Sequence, residues 1–283
     1  TPPLSAGSAD TSPYLHVSAV YGCMAANDTE AFDPSGRGSP AASLAGLVVV
    51  QGSVTTAVQW LLDRFDPEDP ELHWGTPGVA AEIADGDARC RMWCMHYVAV
   101  VAEHAPDVAY KELETITAGL SDPDPDVRTY AFTALGRIAK AVAAVGREHI
   151  PEAVAALEDP HGAVRKCAMG VLGDTAEVYD AAVIAHAPAI AAGLADDDAG
   201  VRHNAALALL AAGRADPAAV RAETDRLLAA LDDPDHSVRA NVCVLLGNVR
   251  PATGRERLAA VAADDPDLDV REKARWALGR MGW

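Results

Sequence analysis

An all-α, right-handed solenoid (superhelix) of antiparallel helix pairs is the fold class that the sequence predicts, and three observations carry it. A dipeptide recurs at fixed spacing: Val127-Arg128, Val164-Arg165, Val201-Arg202 and Val238-Arg239 stand 37 residues apart, and Val270-Arg271 follows after 32. Each copy brings the same companions. An aspartate stands six residues before the arginine (Asp122, Asp159, Asp196, Asp233, Asp265) and a leucine eight after the valine (Leu135, Leu172, Leu209, Leu246, Leu278). Half of the 283 residues are hydrophobic, largely Ala, Val and Leu, and 5% are aromatic. A period in this range marks stacked supersecondary units that share one long core, and small apolar residues suit closely packed helices.

Taken in chain order, residues 1–76 differ from the rest. Pro- and Gly-rich stretches such as TPPLSAGS and DPSGRGSP separate short helical patches, so this part reads as an irregular N-terminal cap or degenerate repeats. Residues 77–283 then hold about six repeats, the first a weak copy opening at Ala88-Arg89. Within each repeat the pattern predicts two helices. In 148–177, EHIPEAVAALE is the first, DPHGA the turn and VRKCAMGVLGDTAEV the second. Asp and Pro or Gly in the turn cap the incoming helix and stop the outgoing one. Gly136, Gly173, Gly247 and Gly279 follow the core leucine and either let helices approach or relax the helix near its end. His149 and His186, also 37 apart and each two residues before a proline, fall at equivalent helix starts.

The pattern D-P-x-x-x-V-R-x-x-A-x-x-x-L-G, as in DPDPDVRTYAFTALG (122–136), DPHGAVRKCAMGVLG (159–173) and DPDLDVREKARWALG (265–279), resembles HEAT repeats, in particular the HEAT-like class found in phycobilisome lyases. DPDHSVRANVCVLLG (233–247) departs from it at Val242, and DDDAGVRHNAALALL (196–210) loses both Pro and Gly. The resemblance implies a polar ladder between successive repeats built from Asp122/Arg128, Asp159/Arg165, Asp196/Arg202, Asp233/Arg239 and Asp265/Arg271. It also implies that the second helices line a concave surface. An arginine that recurs in every unit is scaffold rather than site.

Charge narrows the function classes. Twenty-seven Asp and 14 Glu against 19 Arg and four Lys give a net charge of −18. Asp-rich, Lys-poor surfaces resemble those of halophile proteins, so the expectation is a salt-adapted protein of a halophilic archaeon. The other reading of so acidic a surface is a basic partner. Without a basic stripe to neutralise phosphates, nucleic acid is not an expected partner. The longest apolar run, AASLAGLVVV at 41–50, is too short to span a bilayer, so membrane insertion is not expected either. With no basic-then-apolar leader and five cysteines without paired spacing, a cytoplasmic location is the expectation.

Enzyme readings find little to build on. HEAT-type deoxyhypusine hydroxylases take their iron ligands from His-Glu dipeptides, and none of the nine histidines precedes a glutamate. HEAT-like DNA glycosylases need a basic face, which four lysines do not supply. A shared repeat does not transfer lyase activity. The Asp-rich turns lack the Gly and Glu of a calcium loop, having Val127 and Thr133 at those places counted from Asp122.

A helical projection of each second helix turns offsets 0, +4, +7/+8 and +11 from the valine inward and +2, +6 and +9 outward. Leu207, Val244 and Trp276 then form an apolar stripe, flanked by His203, Asn204, Asn241, Asn248 and Lys273. The expected function is a non-enzymatic scaffold or adaptor, without cofactor, that holds a partner protein against this face. Two alternatives stand beside it. Cys90 and Cys94, four apart on the outward face by the same projection, with His96 turned inward, are weak metal or small-ligand candidates for a lyase-like protein. The other is a structural subunit of a larger complex.

Overall fold

The computed structural model describes residues 87–282, with Leu62, Val79 and Ile83 besides, so the region read as an N-terminal cap lies, but for Leu62, outside the described residues. Those described are nearly all helical, with no strand among them. They divide into two compact units whose boundary follows Ala134. The first holds α1 (Ala88–His104), α2 (Pro106–Ala109), α3 (Leu113–Gly119) and the start of α4 (Pro125–Ala141). The second holds the rest of α4, then α5 (Ala143–Glu148), α6 (Ile150–Ala155), α7 (Gly162–Val183), α8 (Ala187–Ala192), α9 (Ala199–Ala212) and α10 (Pro217–Ala222). It ends with α11 (Thr224–Ala229), α12 (His236–Val249), α13 (Arg255–Asp264) and α14 (Leu268–Arg280).

The repeated residues build the core. Val127, Val164, Val201, Val238 and Val270 are buried, as are the leucines eight residues on. Between them at +4 stand Ala131, Ala168, Ala205, Val242 and Ala274, all without exposed surface. A small residue at that place lets the antiparallel helix of the same repeat cross close by. Each buried Val or Leu contributes about 1.5–3 kcal/mol. In the second unit α7 packs on α9, α9 on α12 and α12 on α14, forming a row of second helices, while α5 and α6 cover α7.

Three findings revise the sequence reading. Each inner repeat has three helical pieces, not two, because the first helix is broken. Glu112, His149, His186 and Glu223, 37 residues apart, all adopt φ between −94° and −105° with ψ between 15° and 18°. This sparsely populated bridge conformation turns the chain between two short helical pieces. Pro151 and Pro188, two residues on, lack the N–H that a continuous helix would use. Buried His149 satisfies its ring with a 2.8 Å contact from Nδ1 to the Val145 carbonyl. The last repeat, shorter in sequence, keeps one unbroken first helix, α13.

The first copy opens two residues later than Ala88-Arg89. Its register is Cys90-Arg91, 37 residues before Val127-Arg128, with cysteine where the others have valine. Cys90, Cys94 and Val98 are therefore the buried 0, +4 and +8 positions.

The membrane reading also needs detail. Residues 162–195 are long and apolar enough, by length and composition, to cross a membrane. In the fold this stretch breaks at Tyr179 (φ −118°, ψ 46°) and again at His186, and Val164, Met169, Leu172 and Ile190 within it are packed into the core.

Candidate functional site

What ties one repeat to the next is a run of guanidinium–carboxylate rungs. Arg165 donates from Nε and Nη2 to both carboxylate oxygens of Asp196, each at 2.7 Å. Arg239 does the same to Asp265 at 2.8 and 2.9 Å, and Arg91 to Asp122 at 2.8 and 3.0 Å. Arg202 reaches Asp233 at 2.6 and 3.3 Å. From Arg128 onward the third edge of the guanidinium stays in its own repeat, where Nη1 donates to the backbone carbonyl six residues back. The pairs are Arg128–Asp122, Arg165–Asp159, Arg202–Asp196, Arg239–Asp233 and Arg271–Asp265.

Each of these aspartates has a second task. Its Oδ1 accepts the backbone N–H two residues on, as in Asp122–Asp124, Asp196–Asp198 and Asp265–Asp267. The second aspartate in turn caps the helix: Asp198 accepts from Gly200 and Val201, and Asp235 from Ser237. The D-P-D turn is therefore a relay of local side-chain–backbone bonds that fixes the helix start and presents one carboxylate to the preceding arginine. A cavity of about 410 Å³ beside the Arg165–Asp196 rung is lined by Leu157, Pro160, Met169 and Val201 among others. The Arg165 guanidinium and the Asp196 carboxylate on its wall are already paired with each other.

The second-helix face differs. Between α7 and α9 a groove of about 370 Å³ is floored by Gly170 and Gly173 and walled by Leu207, Leu210 and Ala211. A Cβ at Gly170 would meet only the Asn204 amide nitrogen, at 3.5 Å, so the missing side chain is what opens the floor. Asn204 donates to the Lys166 carbonyl at 3.0 Å, which fixes its amide at the rim. The other end is charged. Arg214 bonds Glu177 at 3.1 Å and the Ala176 carbonyl at 3.2 Å, capping the part of α7 that ends at the Tyr179 break. Lys140 lies 3.4 Å from Asp174, whose carboxyl is pushed up by burial and drawn back in part by that lysine.

A second groove, of about 240 Å³, continues from the first past Leu210 and Arg214 to Leu245, Asn248 and Arg280. Beyond it Trp276 lies against Gly247, with the Arg280 guanidinium 5.2 Å from the ring centre.

Of the nominated contacts, Leu207 and Asn204 share the first groove and Asn248 lines the second. Leu207 is 42% exposed and Trp276 43%. Val244 is half-buried, on α12 between the two helices that carry those residues. Asn241 and His203 are half-buried as well. The Asp235 carboxyl at the neighbouring turn is held low chiefly by the Ser237 N–H. Lys273 pairs with Asp269 at 3.7 Å. Asp174, Glu177, Leu210, Arg214 and Arg280, at +9, +10 and +13, stand on the same face as +2 and +6 and join the grooves without being among the expected contacts.

The thiol candidates are reversed. Cys90 and Cys94 point into the core, their sulfurs 4.0 Å apart, and half-buried His96 stacks on Tyr130 at 4.4 Å. The two-residue register shift is the reason, since it moves both cysteines from outward to inward rows. Among the described residues no three His, Cys, Asp and Glu side chains converge as a metal site. Burial pushes the Cys243 thiol up to about 12, which removes it as a nucleophile at neutral pH.

Repeats stacked through buried rungs, with a groove along successive second helices, define a helical-repeat protein of the α-solenoid class. The HEAT-repeat family model matches residues 113–209 and 224–282, more than half of the chain, and the protein belongs to that family. No curated protein sequence matches it. Among solved structures it is similar to an engineered protein at 18% identity (TM-score 0.63, covering 73% of this chain and 96% of the other). It is also similar to computationally designed armadillo repeat proteins for modular peptide recognition, at 16% identity (TM-score 0.60, 72% and 99%). A second engineered protein, at 18% identity, covers 92% of this chain and 77% of its own (TM-score 0.63). At these identities the likeness is one of fold.

Proposed function

We propose that this protein is a non-enzymatic scaffold or adaptor that holds a segment of a partner protein along the second-helix face of α7, α9, α12 and α14. The observation that carries the reading is the pair of adjoining grooves there, with exposed Leu207 and Trp276 as apolar anchors and Asn204, Asn248, Arg214 and Glu177 as polar rim. An apolar centre within a polar rim is the anatomy of a protein-binding patch. The designed armadillo relatives were made for peptide recognition, and their shared fold supports a segment as the occupant. The resemblance to the phycobilisome-lyase repeat class concerns the repeat and brings no lyase activity with it. A cytoplasmic location and an acidic surface adapted to concentrated salt, as in halophilic archaea, belong to the same proposal.

The test is affinity capture of partners in concentrated KCl with wild type beside a Leu207→Asp/Gly170→Phe variant shown to be folded by circular dichroism. The reading expects a protein retained by wild type and lost by the variant. Equal retention by both, or capture of no protein, would defeat it.

A further inference from the structure

From repeat to repeat the scaffold residues keep their identity, while the rim of the second-helix face changes its charge. At +13 from the core valine stand Lys140, Glu177 and Arg214, so one equivalent place reverses sign in each successive copy. At +10 stand Asp174, Ala211, Asn248 and, in the last repeat, Arg280. A residue that only holds the stack together has no reason to alternate in this way.

The alternation gives the two adjoining grooves opposite ends. The first, between α7 and α9, has two carboxylates in its lining, Asp174 and Glu177, one turn apart on α7. Lys140 reaches Asp174 at 3.4 Å from outside that lining, with its own side chain 65% exposed. Burial still holds the Asp174 carboxyl up despite the lysine, so a further cation would find it under-compensated. The second groove is lined by Arg214, Arg280 and Asn248 around its apolar floor, with no acid among the described residues there. Arg214 donates from Nη2 to the Ala176 carbonyl and Arg280 from Nε to the Gly247 carbonyl, each at 3.2 Å, so both guanidiniums are set in place beforehand. In a chain of net −18 this groove is a local reversal of sign. Leu210 lies in both linings and joins the two apolar floors.

We propose that the partner segment held on this face is dipolar, with an apolar centre over Gly173 and Leu210, a lysine or arginine at the Asp174–Glu177 end, and an aspartate or glutamate at the Arg280–Asn248 end. The inference rests on the scaffold reading above and names the chemistry of its occupant. Charge complementarity selects it. A uniformly basic segment is drawn by the long-range field of the acidic chain, yet meets two arginines in the second groove. A uniformly acidic one is repelled at long range and again at Asp174 and Glu177. Two opposite charges flanking an apolar join are what a single small ion does not supply and a short stretch of polypeptide does.

The probe is a random linear-peptide display library, selected on the full-length protein at the lowest KCl concentration at which circular dichroism shows it folded, since salt screens the charges being read. Peptides bound by wild type and lost in Leu207→Asp are expected to carry opposite charges on the two sides of an apolar centre. A synthetic peptide of the enriched sequence then meets two variants at exposed positions. Arg280→Glu is expected to weaken binding about tenfold or more, restored by exchanging the peptide's acid for lysine, and Glu177→Lys to do the same at the basic residue. Both variants are expected to keep the wild-type melting temperature, and loss of affinity without rescue by the exchanged peptide would count against the charge pairing. Enriched peptides that depend on Leu207 but are uncharged, or charged with one sign only, would overturn the dipolar occupant and leave the scaffold reading standing. Failure to enrich any peptide sensitive to Leu207→Asp would overturn both.

Discussion

Arg202 and Arg214, near the two ends of α9, show what burial does to an ion pair. Arg202 is 13% exposed and its partner Asp233 3%, while Arg214 and Glu177 are 49% and 63% exposed. The Asp233 carboxylate answers both the guanidinium and the Asp235 N–H that starts the turn. Asp233→Ala leaves a buried guanidinium unpaired and undoes the turn, and is expected to lower unfolding free energy by about 3 kcal/mol. Arg214→Ala is expected to change it by under about 1 kcal/mol. Urea denaturation of the two variants checks the contrast, and equal losses would contradict it.

The same rungs set the acid response. A hydrogen bond from Arg239 is the main reason the Asp265 carboxyl lies below the ordinary 3.8. At Asp122 and Asp196 burial pushes upward, but the arginine and backbone N–H bonds outweigh it and the net direction is down. A carboxyl depressed on folding stabilises above its unfolded value and loses that contribution as pH falls through its folded value. Asp174, raised chiefly by burial, acts oppositely and regains a little stability on protonation. The melting temperature is therefore expected to hold from neutral pH down toward 5 and to fall steeply below about 4. Asp265→Asn is expected to make that fall shallower.

At the scale of the helix, the glycines at +9 separate close packing from available room. Gly247→Ala would bring a Cβ within 2.6 Å of the Trp276 ring and 2.9 Å of the Ala277 backbone. Backbone cannot step aside cheaply, so a loss of about 1–3 kcal/mol is expected. Gly173→Ala meets its nearest atoms at 3.8 Å and is expected to gain about 0.5–1 kcal/mol from helix propensity. Paired denaturation curves test the opposite signs.

These positions also show where sequence is readable. Val-Arg, the +4 alanines and the +8 leucines repeat because every copy buries them, so their spacing reveals helix type and core face. Cys90 hid the first copy's register because a buried cysteine satisfies the same packing as valine while breaking the letter pattern. The broken first helices were invisible because His149 and Glu223 keep helical periodicity on either side of a single bridge residue. Arg214 and Asp174 escaped because each occurs in one copy alone, where repetition gives no signal.

For the molecule as a whole the governing quantity is the net charge of −18. Like charges on a folded surface repel and lower its stability relative to the expanded chain. Salt relieves that repulsion, with a Debye length near 10 Å at 0.1 M and near 3 Å at 1 M. The buried rungs are screened far less, since water and ions reach Asp233 and Asp265 poorly. A salt-adapted surface therefore predicts a melting temperature that rises from about 0.1 M to about 2 M KCl, most steeply at the low end where screening changes fastest. The Asp233→Ala variant should rise in parallel with wild type, because its missing rung does not depend on salt. A flat profile would mean that the surface acids are not strained by their own repulsion. The excess of carboxylates would then be explained better by a basic partner covering them, and the search for that partner would move from the apolar grooves to the acidic faces of the stack.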